Sequence, residues 1–519
     1  MRAVVFYILL LLFTPTAVKA QNACPIIPQP QEATVVSETF LLNKHTPVLV
    51  EDESLQPVAS YLQQQLLAQH KIPLSIQAKA AAPFIQLSLV KKGNSEEAYQ
   101  LVMNAKQVHI TGANSRAVFY GVISLLQLAS GSKSSADNLL LHCWNITDAP
   151  LLVWRGLMLD ESRHFFGMEK VKSILNWMAF YKLNRFHWHL TDEPAWRIEI
   201  KKYPRLTLVG GIGSYTDPDR PAQFYTQQQI AEVVRYAAER NITVIPEIDM
   251  PGHATAANMA YPAFSGGGSE KHPEFTFHPG KEGTYGYLTD ILREVNALFP
   301  SNMLHLGGDE VSFGNDKWMA DTDVKSLMTR NKLTTVQEVE QYFMQRMADS
   351  VYRMNAKLLA WDEVANMNFP TDKTIVFWWR HDRQQQLATA LNKGYSTVLC
   401  PRLPFYFDFV QDSTHTVGRK WGKAYSPLKD VYDFNIMRLP GVTPGNKKQV
   451  LGVQANVWTE TMTNSYQLDF MLYPRIAALA ETAWSSEEKK NYALFTHHLK
   501  QHFTLYKKEG INYFDPFKQ

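Results

Sequence analysis

The strongest constraint on the fold is an alternation of short apolar segments with amphipathic segments across residues 154–457. Three amphipathic segments place apolar residues at i, i+3, i+4 and i+7, the spacing of a helix that covers a sheet. The first of these sets is Val171, Ile174, Leu175 and Met178. Eight apolar segments read as buried strands: Gly156–Leu159, Arg185–Leu190, Thr243–Ile248, Met303–Leu306, Lys357–Trp361, Thr374–Trp378, Ser396–Leu399 and Leu451–Val457. Eight strand–helix repeats predict an α/β fold, a (β/α)8 TIM barrel, over residues 151–485.

The segments on either side of this alternation have a different character. Residues 21–150 contain short β-type runs and two helical patterns, Leu55–Gln69 and Arg116–Leu128, so a small α+β domain is predicted there. Residues 486–519 are polar and aromatic, and we expect a C-terminal extension that packs on the barrel. Residues 401–450 lack clear periodicity and predict a long, functional loop between strands seven and eight.

The N-terminus has the pattern of an export signal. Arg2 precedes an unbroken apolar run of ten residues from Val4 to Phe13, and Val18 and Ala20 form a small-residue cleavage pattern before Gln21. Ten residues are too few to cross a bilayer, so residues 1–20 are predicted to be a signal peptide rather than an anchor. No later segment is long and apolar enough for a membrane span. We therefore expect a protein exported to the periplasm or the medium.

Charge and cysteine content exclude several classes of protein. The chain has 52 Lys+Arg against 49 Asp+Glu, a formal net charge of +3, which argues against a nucleic-acid binder. Three cysteines in an exported chain rule out a disulfide framework, and no cysteine pair has metal-ligand spacing. No metal or cofactor is predicted, and the sequence leaves the oligomeric state open.

Polar, titratable or tryptophan side chains stand beside every predicted strand end, where a TIM barrel carries its active site. Arg155 flanks the first strand, which reaches Asp160. The later strands lead to His187, His189 and Asp192; Glu247, Asp249 and His253; Asp309 and Glu310; Trp361; Trp378 and Trp379; Tyr406 and Asp408; and Trp458 and Glu460. This recurrence predicts a polar and aromatic cavity at the mouth of the barrel.

Carboxylates next to tryptophans favour a sugar site. Aromatic rings stack on the apolar faces of pyranoses, and glycoside cleavage needs a carboxylic acid that protonates the leaving oxygen. Glu310 can supply that acid if burial and neighbouring acids raise its pKa. Asp309 is adjacent in sequence and poorly placed to attack from across the ring. The pair suits a reaction in which the 2-acetamido oxygen of the substrate is the nucleophile and Asp309 orients it. The two glycines before the pair are expected to let the backbone approach a ligand closely.

These residues resemble the β-N-acetylhexosaminidases of glycoside hydrolase family 20. The resemblance spans the whole barrel, and the N-terminal part, including Ala117–Gly121 and Leu125–Leu128, is similar to the small α+β domain that precedes the barrel in this family. The matching segments are Trp154–Asp160, His187–Asp192, Trp196–Arg197, Pro246–His253, His305–Glu310, Trp361, Trp378–Trp379, Tyr406–Asp408 and Trp458–Glu460.

The resemblance implies a role for each site residue. Glu310 would be the general acid and then the general base, Asp309 would hold the acetamido N–H, and Tyr406 would donate to the acetamido oxygen. The remaining roles are substrate binding by Arg155, Asp408 and Glu460, a sugar wall of Trp361, Trp458 and one of Trp378 and Trp379, and tuning of Glu310 by Asp192 and His253. The implied activity is exo-acting, retaining removal of terminal β-linked N-acetylglucosamine or N-acetylgalactosamine from a glycan.

Two other functions compete with this hypothesis. A degenerate barrel would bind sugars without catalysis, although Asp309, Glu310 and Tyr406 are all present. A metal-dependent amidohydrolase would use a pair such as His187 and His189, whose side chains share one strand face. That class also needs later Lys or His ligands, where strands four to eight offer acids and aromatics.

Overall fold

The structure, a computed structural model, describes residues 23–91, 95–135 and 138–518. The predicted signal peptide lies outside the described residues. The remainder folds as an N-terminal α+β domain followed by a closed barrel of eight parallel strands, which confirms the predicted fold class.

The N-terminal domain consists of one mixed sheet and two helices. In chain order its elements are β1 (Glu32–Asn43), β2 (Val48–Val50), α1 (Gln56–His70), β3 (Ile76–Gln77), β4 (Phe84–Leu89), β5 (Tyr99–Met103), β6 (Gln107–Gly112), α2 (Ser115–Ser130), β7 (Lys133–Ser135) and β8 (Asn138–Asp148). The sheet order is β1-β8-β5-β6-β4-β2-β3, and β7 pairs with β8. Helix α2 begins where the Asn114 side chain accepts a hydrogen bond from the Ala117 N–H at 3.1 Å.

The barrel and its connections follow from Trp154 onward. In chain order the elements are β9 (Trp154–Asp160), α3 (Met168–Phe180), β10 (Arg185–His189), α4 (Arg205–Leu208), α5 (Gln227–Ala238), β11 (Thr243–Met250), α6 (Thr255–Ala260), β12 (Ser265–Gly267), β13 (Thr276–Phe277), α7 (Glu282–Leu298), β14 (Met303–Gly307), α8 (Thr322–Asn331), α9 (Val336–Arg353), β15 (Lys357–Trp361), β16 (Thr374–Trp378), α10 (Gln384–Asn392), β17 (Ser396–Leu399), α11 (Arg402–Phe405), α12 (Leu428–Asp433), β18 (Val450–Val457), α13 (Ser465–Leu472), α14 (Arg475–Trp484) and α15 (Tyr492–Lys508).

The closed barrel runs β9-β10-β11-β14-β15-β16-β17-β18 and returns to β9. Each strand lies within two residues of its predicted bounds. The apolar stripe predicted for the first barrel helix, α3, is buried against the sheet. Both faces of these strands are buried, so their polar side chains, among them His187, Glu247 and His305, are buried as well.

The chain after residue 485 packs back on the barrel. Helix α15 places the Tyr506 hydroxyl 2.6 Å from the Tyr181 hydroxyl, just after α3, and His502 Nδ1 lies 3.0 Å from the same oxygen. Lys508 also donates to the carbonyl of Gln69 in the N-terminal domain at 2.7 Å. The extension therefore touches both parts of the molecule.

A buried ion pair joins the N-terminal domain to the amino-terminal end of the barrel. Lys182 and Asp148 are both fully buried, with Nζ 3.2 Å from Oδ2. Asp148 also accepts hydrogen bonds from the Tyr99 hydroxyl at 2.7 Å and from Trp484 Nε1 at 2.9 Å. Both sides of the boundary thus supply partners that the other side needs.

Within the described part of the chain, no helix is both long and apolar enough to cross a bilayer.

Candidate active site

The loops at the carboxyl ends of the barrel strands enclose a cavity of about 310 Å³. Ten of the twelve predicted site residues line it; the exceptions are Arg155 and Trp378. The ten are Asp192, His253, Asp309, Glu310, Trp361, Trp379, Tyr406, Asp408, Trp458 and Glu460. Parallel strands deliver these side chains to one place because their carboxyl ends share one rim of the barrel.

The predicted role of Arg155 in binding sugar hydroxyls is wrong. This residue is the second of β9, at the end of the barrel opposite the cavity, and its side chain is fully buried. Its Nη1 lies 2.8 Å from a carboxylate oxygen of Glu97, and its Nη2 donates to the Tyr120 hydroxyl at 2.8 Å. Arg155 therefore fastens the N-terminal domain to the barrel.

Arg163 is the arginine that reaches the cavity, and the sequence analysis missed it. The Asp160 carboxylate, at the end of β9, accepts hydrogen bonds from the backbone N–H groups of Ser162 at 2.9 Å and Arg163 at 3.0 Å. This turn directs the Arg163 guanidinium into the cavity, 5.0 Å from the Trp458 ring centre and in an ion pair with Asp192. Its position just beyond a predicted strand end was the available indication.

The turn after β14 presents the two adjacent acids. Gly307, Gly308 and Glu310 have φ values of 68°, 90° and 52°, all in the left-handed region. A Cβ at Gly307 would lie 1.8 Å from an Asp249 carboxylate oxygen. The glycine is thus required by a buried carboxyl group and not, as expected, by a ligand. Holding Glu310 with positive φ costs energy, a feature typical of functional turns.

Asp309 and Glu310 face the same side of the cavity. His253 Nε2 lies 3.7 Å from Asp309 Oδ2 and 3.5 Å from Glu310 Oε2. The other four acidic residues that line the cavity are engaged by cationic or imidazole side chains. Their contacts are Asp192 with Arg163, Glu193 with His272, and Asp408 and Glu460 with Arg419.

The pKa values of the two adjacent acids are shifted in opposite directions. Burial raises the pKa of Asp309 to about 7, against the positive charge of His253. Burial also acts to raise the pKa of Glu310, but the hydrogen bond and charge of His253, with Arg163 beyond it, outweigh burial and leave that pKa below its usual value. We expected a raised pKa at Glu310; in this geometry the proton of the pair resides on Asp309 instead.

A third carboxyl group, Asp249, lies beneath the pair. Burial and then the charge of Asp309 raise the pKa of Asp249 well above its usual range. Within the described residues, Asp249 Oδ1 and Asp309 Oδ1 are both buried without a hydrogen-bond partner. Asp309 therefore retains an unused acceptor.

Asp192 and His253 lie behind Glu310, as the resemblance implied. Asp192 Oδ1 lies 3.0 Å from His253 Nδ1, and Asp192 Oδ2 lies 2.8 Å from His189 Nε2. Burial opposes the charge on Asp192, but Arg163 and His253 outweigh it and hold the pKa of Asp192 well below its usual range. Burial likewise disfavours a charged His253, and Asp192 overrides it, so the pKa of His253 is well above normal.

The histidines considered as metal ligands surround one carboxylate. Glu247 is fully buried, with oxygen atoms 3.0 Å from His187 Nε2 and 2.9 Å from His305 Nδ1, and it also contacts His189 Nδ1. Trp361 Nε1 donates to it at 2.9 Å. His187, Glu247 and His305 are close enough to share an ion, but the same distances are those of hydrogen bonds.

Aromatic rings form the wall of the cavity. The rings of Trp379 and Tyr406 are nearly parallel, 12° apart with centres separated by 6.3 Å, and Trp458 lies 6.1 Å from Tyr406. Burial raises the pKa of Tyr406 well above its usual value, so its hydroxyl remains a donor.

Of the two adjacent tryptophans, Trp379 faces the cavity and Trp378 does not. Trp378 is 1% exposed, packs in the core outside the barrel, and its Nε1 lies 3.4 Å from the Arg383 carbonyl. Trp379 Nε1 donates to Glu363 at 3.2 Å. Successive residues at a strand end point to opposite faces, so only one of the pair can line the cavity.

The segment between β17 and β18 contributes a residue that the sequence analysis missed, Arg419. Its Nε lies 2.7 Å from Asp408 Oδ2, and its Nη2 contacts Glu460. Burial raises the pKa of Asp408 to about 7, while Arg419 opposes the shift. This connection has no periodicity, so the sequence could not show which of its residues turn inward.

The rim carries three exposed aromatic side chains: Tyr215, Phe313 and Trp421. His272, from the loop between β12 and β13, also lines the cavity, and its Nδ1 lies 3.0 Å from a carboxylate oxygen of Glu193. The β12–β13 hairpin was not predicted because its strands are only three and two residues long.

Comparison with known proteins identifies the family. The sequence model of the family described as "Glycosyl hydrolase family 20, catalytic domain" matches residues 152–487, and that of "Glycosyl hydrolase family 20, domain 2" matches residues 23–149. The chain is 35% identical to a beta-hexosaminidase of Porphyromonas gingivalis, covering 95% of this chain but only 65% of that protein. It is 31% identical to a beta-hexosaminidase of Vibrio furnissii, covering 88% of this chain and 76% of that protein.

Solved structures agree. The GH20 beta-N-acetylhexosaminidase from Streptomyces coelicolor A3(2) superposes with a TM-score of 0.83 at 28% identity, covering 95% of this chain and 98% of that chain. The GH20 exo beta-N-acetylglucosaminidase from Vibrio harveyi superposes with a TM-score of 0.88 at 29% identity, covering 95% and 79%. Both domains, the strand order and the cavity lead to the same conclusion: the chain belongs to glycosyl hydrolase family 20.

Proposed function

We propose that this chain is an exo-acting, retaining β-N-acetylhexosaminidase in which the acetamido group of the substrate is the nucleophile. The names of its relatives in Porphyromonas and Vibrio support the hexosaminidase activity. The cavity volume of about 310 Å³ is at the small end for ligand sites and suits a single terminal sugar.

One observation carries the mechanism. Asp309 and Glu310 are neighbours that face His253 together, and each of the other four acids that line the cavity is held by Arg163, His272 or Arg419. A double displacement with an enzyme nucleophile needs a second free carboxylate across the sugar from the acid, about 5 Å away. The adjacent pair instead suits protonation by one member and orientation of the acetamido group by the other.

In the first step the acetamido oxygen attacks C1 while the bond from C1 to the leaving oxygen breaks. Glu310 gives its proton to the leaving oxygen, and an oxazolinium ion forms. Asp309 accepts a hydrogen bond from the acetamido N–H, and the Tyr406 hydroxyl donates one to the acetamido oxygen. In the second step water attacks C1, Glu310 takes its proton, and the ring reopens with the original configuration at C1.

This scheme also accounts for the location of the proton. In the geometry described, Asp309 holds it, with a pKa of about 7. A hydrogen bond from the acetamido N–H stabilises ionised Asp309, because a donor favours the charged form of a carboxylate. The proton then belongs on Glu310, where cleavage requires it.

A pair of chromogenic substrates tests the proposal. We expect rapid turnover of an aryl β-N-acetylglucosaminide and very slow turnover of the matching β-glucoside, which lacks the internal nucleophile. A thiazoline analogue of the cyclic intermediate is expected to bind tightly. Equal activity on the glucoside would refute acetamido participation, and binding without turnover would favour the non-catalytic alternative.

We further propose that residues 1–20 direct export to the periplasm or the medium. The apolar run from Val4 to Phe13 and the small residues before Gln21 support it. Mass spectrometry of the exported protein is expected to give an N-terminus at Gln21. An exported chain that still begins at Met1 would contradict the cleavage.

A further inference from the structure

We propose that His189 is a positioning residue for the general acid: held between Glu247 and Asp192, it fixes the Asp192–His253 pair that faces Glu310. This inference rests on the proposed function. It extends the apparatus behind Glu310 into the interior of the barrel, to side chains that touch neither the cavity nor the reacting atoms.

The geometry is an unbroken alternation of carboxylates and imidazoles. Glu247 contacts His189 Nδ1, and His189 Nε2 lies 2.8 Å from Asp192. Asp192 in turn lies 3.0 Å from His253 Nδ1, and His253 Nε2 lies 3.5 Å from Glu310. His189 is 1% exposed and lies on the strand next to that of Glu247, directly paired with it in the parallel sheet. The chain of contacts therefore starts at a rigid strand and ends at the acid.

His189 must carry two protons to make both contacts. Each of its ring nitrogens faces a carboxylate oxygen, and only the imidazolium form has two N–H donors. Burial disfavours that charge, but Glu247 and Asp192 outweigh burial and hold the pKa of His189 well above normal. His187, on the same strand, contacts only Glu247 among these acids, and burial lowers its pKa to about 4.

The charge of His189 acts on Glu310 through Asp192. Without it, the buried cluster gains one unit of negative charge, and Asp192 loses one of its hydrogen-bond donors. Glu310 would then hold its proton more tightly, and His253 would be less well fixed. The titratable and charged groups that face this chain, and that remain, are Arg163 beside Asp192; Asp160, Glu193 and Glu460 around Arg163; Asp309 and Asp249 beside His253; and His187 and His305 beside Glu247.

The test compares His189→Gln with His187→Gln. Both variants replace a fully buried imidazole that contacts Glu247, but only the first replaces the charged imidazolium beside Asp192 with a neutral group. Assistance by the general acid matters most for poor leaving groups. We expect His189→Gln to lower kcat/KM about tenfold or more for an alkyl or sugar leaving group, and only about twofold for a strongly activated aryl group. The alkaline limb of its pH profile is expected to move to higher pH.

The control and a second measurement keep the inference falsifiable. His187→Gln is expected to change kcat/KM equally for all leaving groups and to leave the alkaline limb in place. If His189→Gln behaves like His187→Gln, the role of His189 is structural and the inference fails. If His189→Gln does not fold, ¹⁵N NMR of the wild-type imidazoles decides: we expect His189 doubly protonated and His187 neutral at neutral pH, and a neutral His189 overturns the proposal.

The two proposals fail in different ways. A wild-type protein without hexosaminidase activity would refute the proposed function. An active wild type whose His189 variant shows no selectivity for leaving groups would refute only the role of His189.

Discussion

Two arginines, eight residues apart in sequence, lie at opposite ends of the barrel and have different roles. Arg155, near the start of β9, is enclosed by Glu97, Tyr120 and backbone carbonyls. Arg163, just beyond the end of β9, forms an ion pair with Asp192 and lines the cavity. Residue type does not distinguish the two arginines. Their position along the strand does.

The two ends also differ in how fully their polar groups are satisfied. Arg155 and Lys182 each pair with a carboxylate of the N-terminal domain and donate a hydrogen bond to a tyrosine hydroxyl of that domain. Around the cavity, the described residues leave buried polar atoms without partners, among them Asp309 Oδ1, Trp458 Nε1 and Glu460 Oε2. Unused buried donors and acceptors are costly, and a polar ligand such as a sugar would satisfy them. One end is built for stability and the other for binding.

The largest expected effect is at Glu310. Changing Glu310→Gln removes the proton donor while keeping the shape, so kcat/KM for poor leaving groups is expected to fall by about 10²–10⁴. An activated leaving group, or added azide as a nucleophile, is expected to restore part of the activity. The thermal midpoint is expected to change little, because the Glu310 side chain is 33% exposed. A large fall in the thermal midpoint would contradict the expectation that the cavity end of the barrel serves binding rather than stability.

Substituting the two arginines tests the comparison directly. Arg155→Met leaves Glu97 buried without its partner, and we expect a loss of about 3–5 kcal/mol in the free energy of unfolding. The folded fraction is expected to keep its kcat/KM. Arg163→Met is expected to do the reverse. Its kcat/KM is expected to fall more than that of Arg155→Met, and its free energy of unfolding is expected to fall less. Denaturant unfolding and kinetics on both variants decide, and similar behaviour of the two would remove the contrast.

The pH dependence of activity sharpens the comparison further. The acid pair loses its proton with the raised pKa of Asp309, about 7, so kcat/KM is expected to fall as pH rises through this value. Asp309→Asn removes a negative charge beside Glu310, which lowers the pKa of Glu310 and moves the residual alkaline limb to lower pH. Glu97→Gln, at the other end of the barrel, is expected to leave the limb unchanged. A shift in that control would show that the ends are electrostatically coupled.

The smallest effect concerns the adjacent tryptophans. Trp379→Phe is expected to raise KM several-fold, because the ring that faces the cavity shrinks. Trp378→Phe is expected to cost about 1 kcal/mol or more of stability with KM unchanged, since it opens space in a packed core. Kinetics and thermal unfolding separate the two. Equal KM values would show that neither ring contacts the sugar.

The sequence predicted the barrel well because its signals are local. Buried parallel strands are short apolar runs, and the helix stripes have a fixed period, so all eight strands were located. Asp309 and Glu310 were found because a strand end points to the mouth of a barrel. Arg155 precedes the predicted first strand, so it lies at the amino-terminal end of the barrel, whereas the active site lies at the carboxyl end. Arg155 has the charge expected of a residue that binds sugar hydroxyls, but it lies at the end of the barrel opposite the cavity.

Other parts of the site depend on contacts distant in sequence. Arg419 turns inward because Asp408 and Glu460 attract it, and nothing in the periodicity of its segment shows this. Asp309 rather than Glu310 has the raised pKa because burial dominates at Asp309, whereas the hydrogen bond and charge of His253 outweigh burial at Glu310. The balance between burial and neighbouring charge depends on the folded structure, which residue type alone does not determine.

The contacts of Asp148 with Lys182 and Trp484 limit where the protein can be truncated. The family boundary between residues 149 and 152 looks like a natural place to truncate. A fragment that starts there would retain Lys182 and Trp484 but lose Asp148, leaving an ammonium group and an indole N–H stranded against exposed apolar surface. We expect such a fragment to be sensitive to proteases and to aggregate. A catalytic fragment that folds is therefore expected to begin near residue 23 rather than at residue 152.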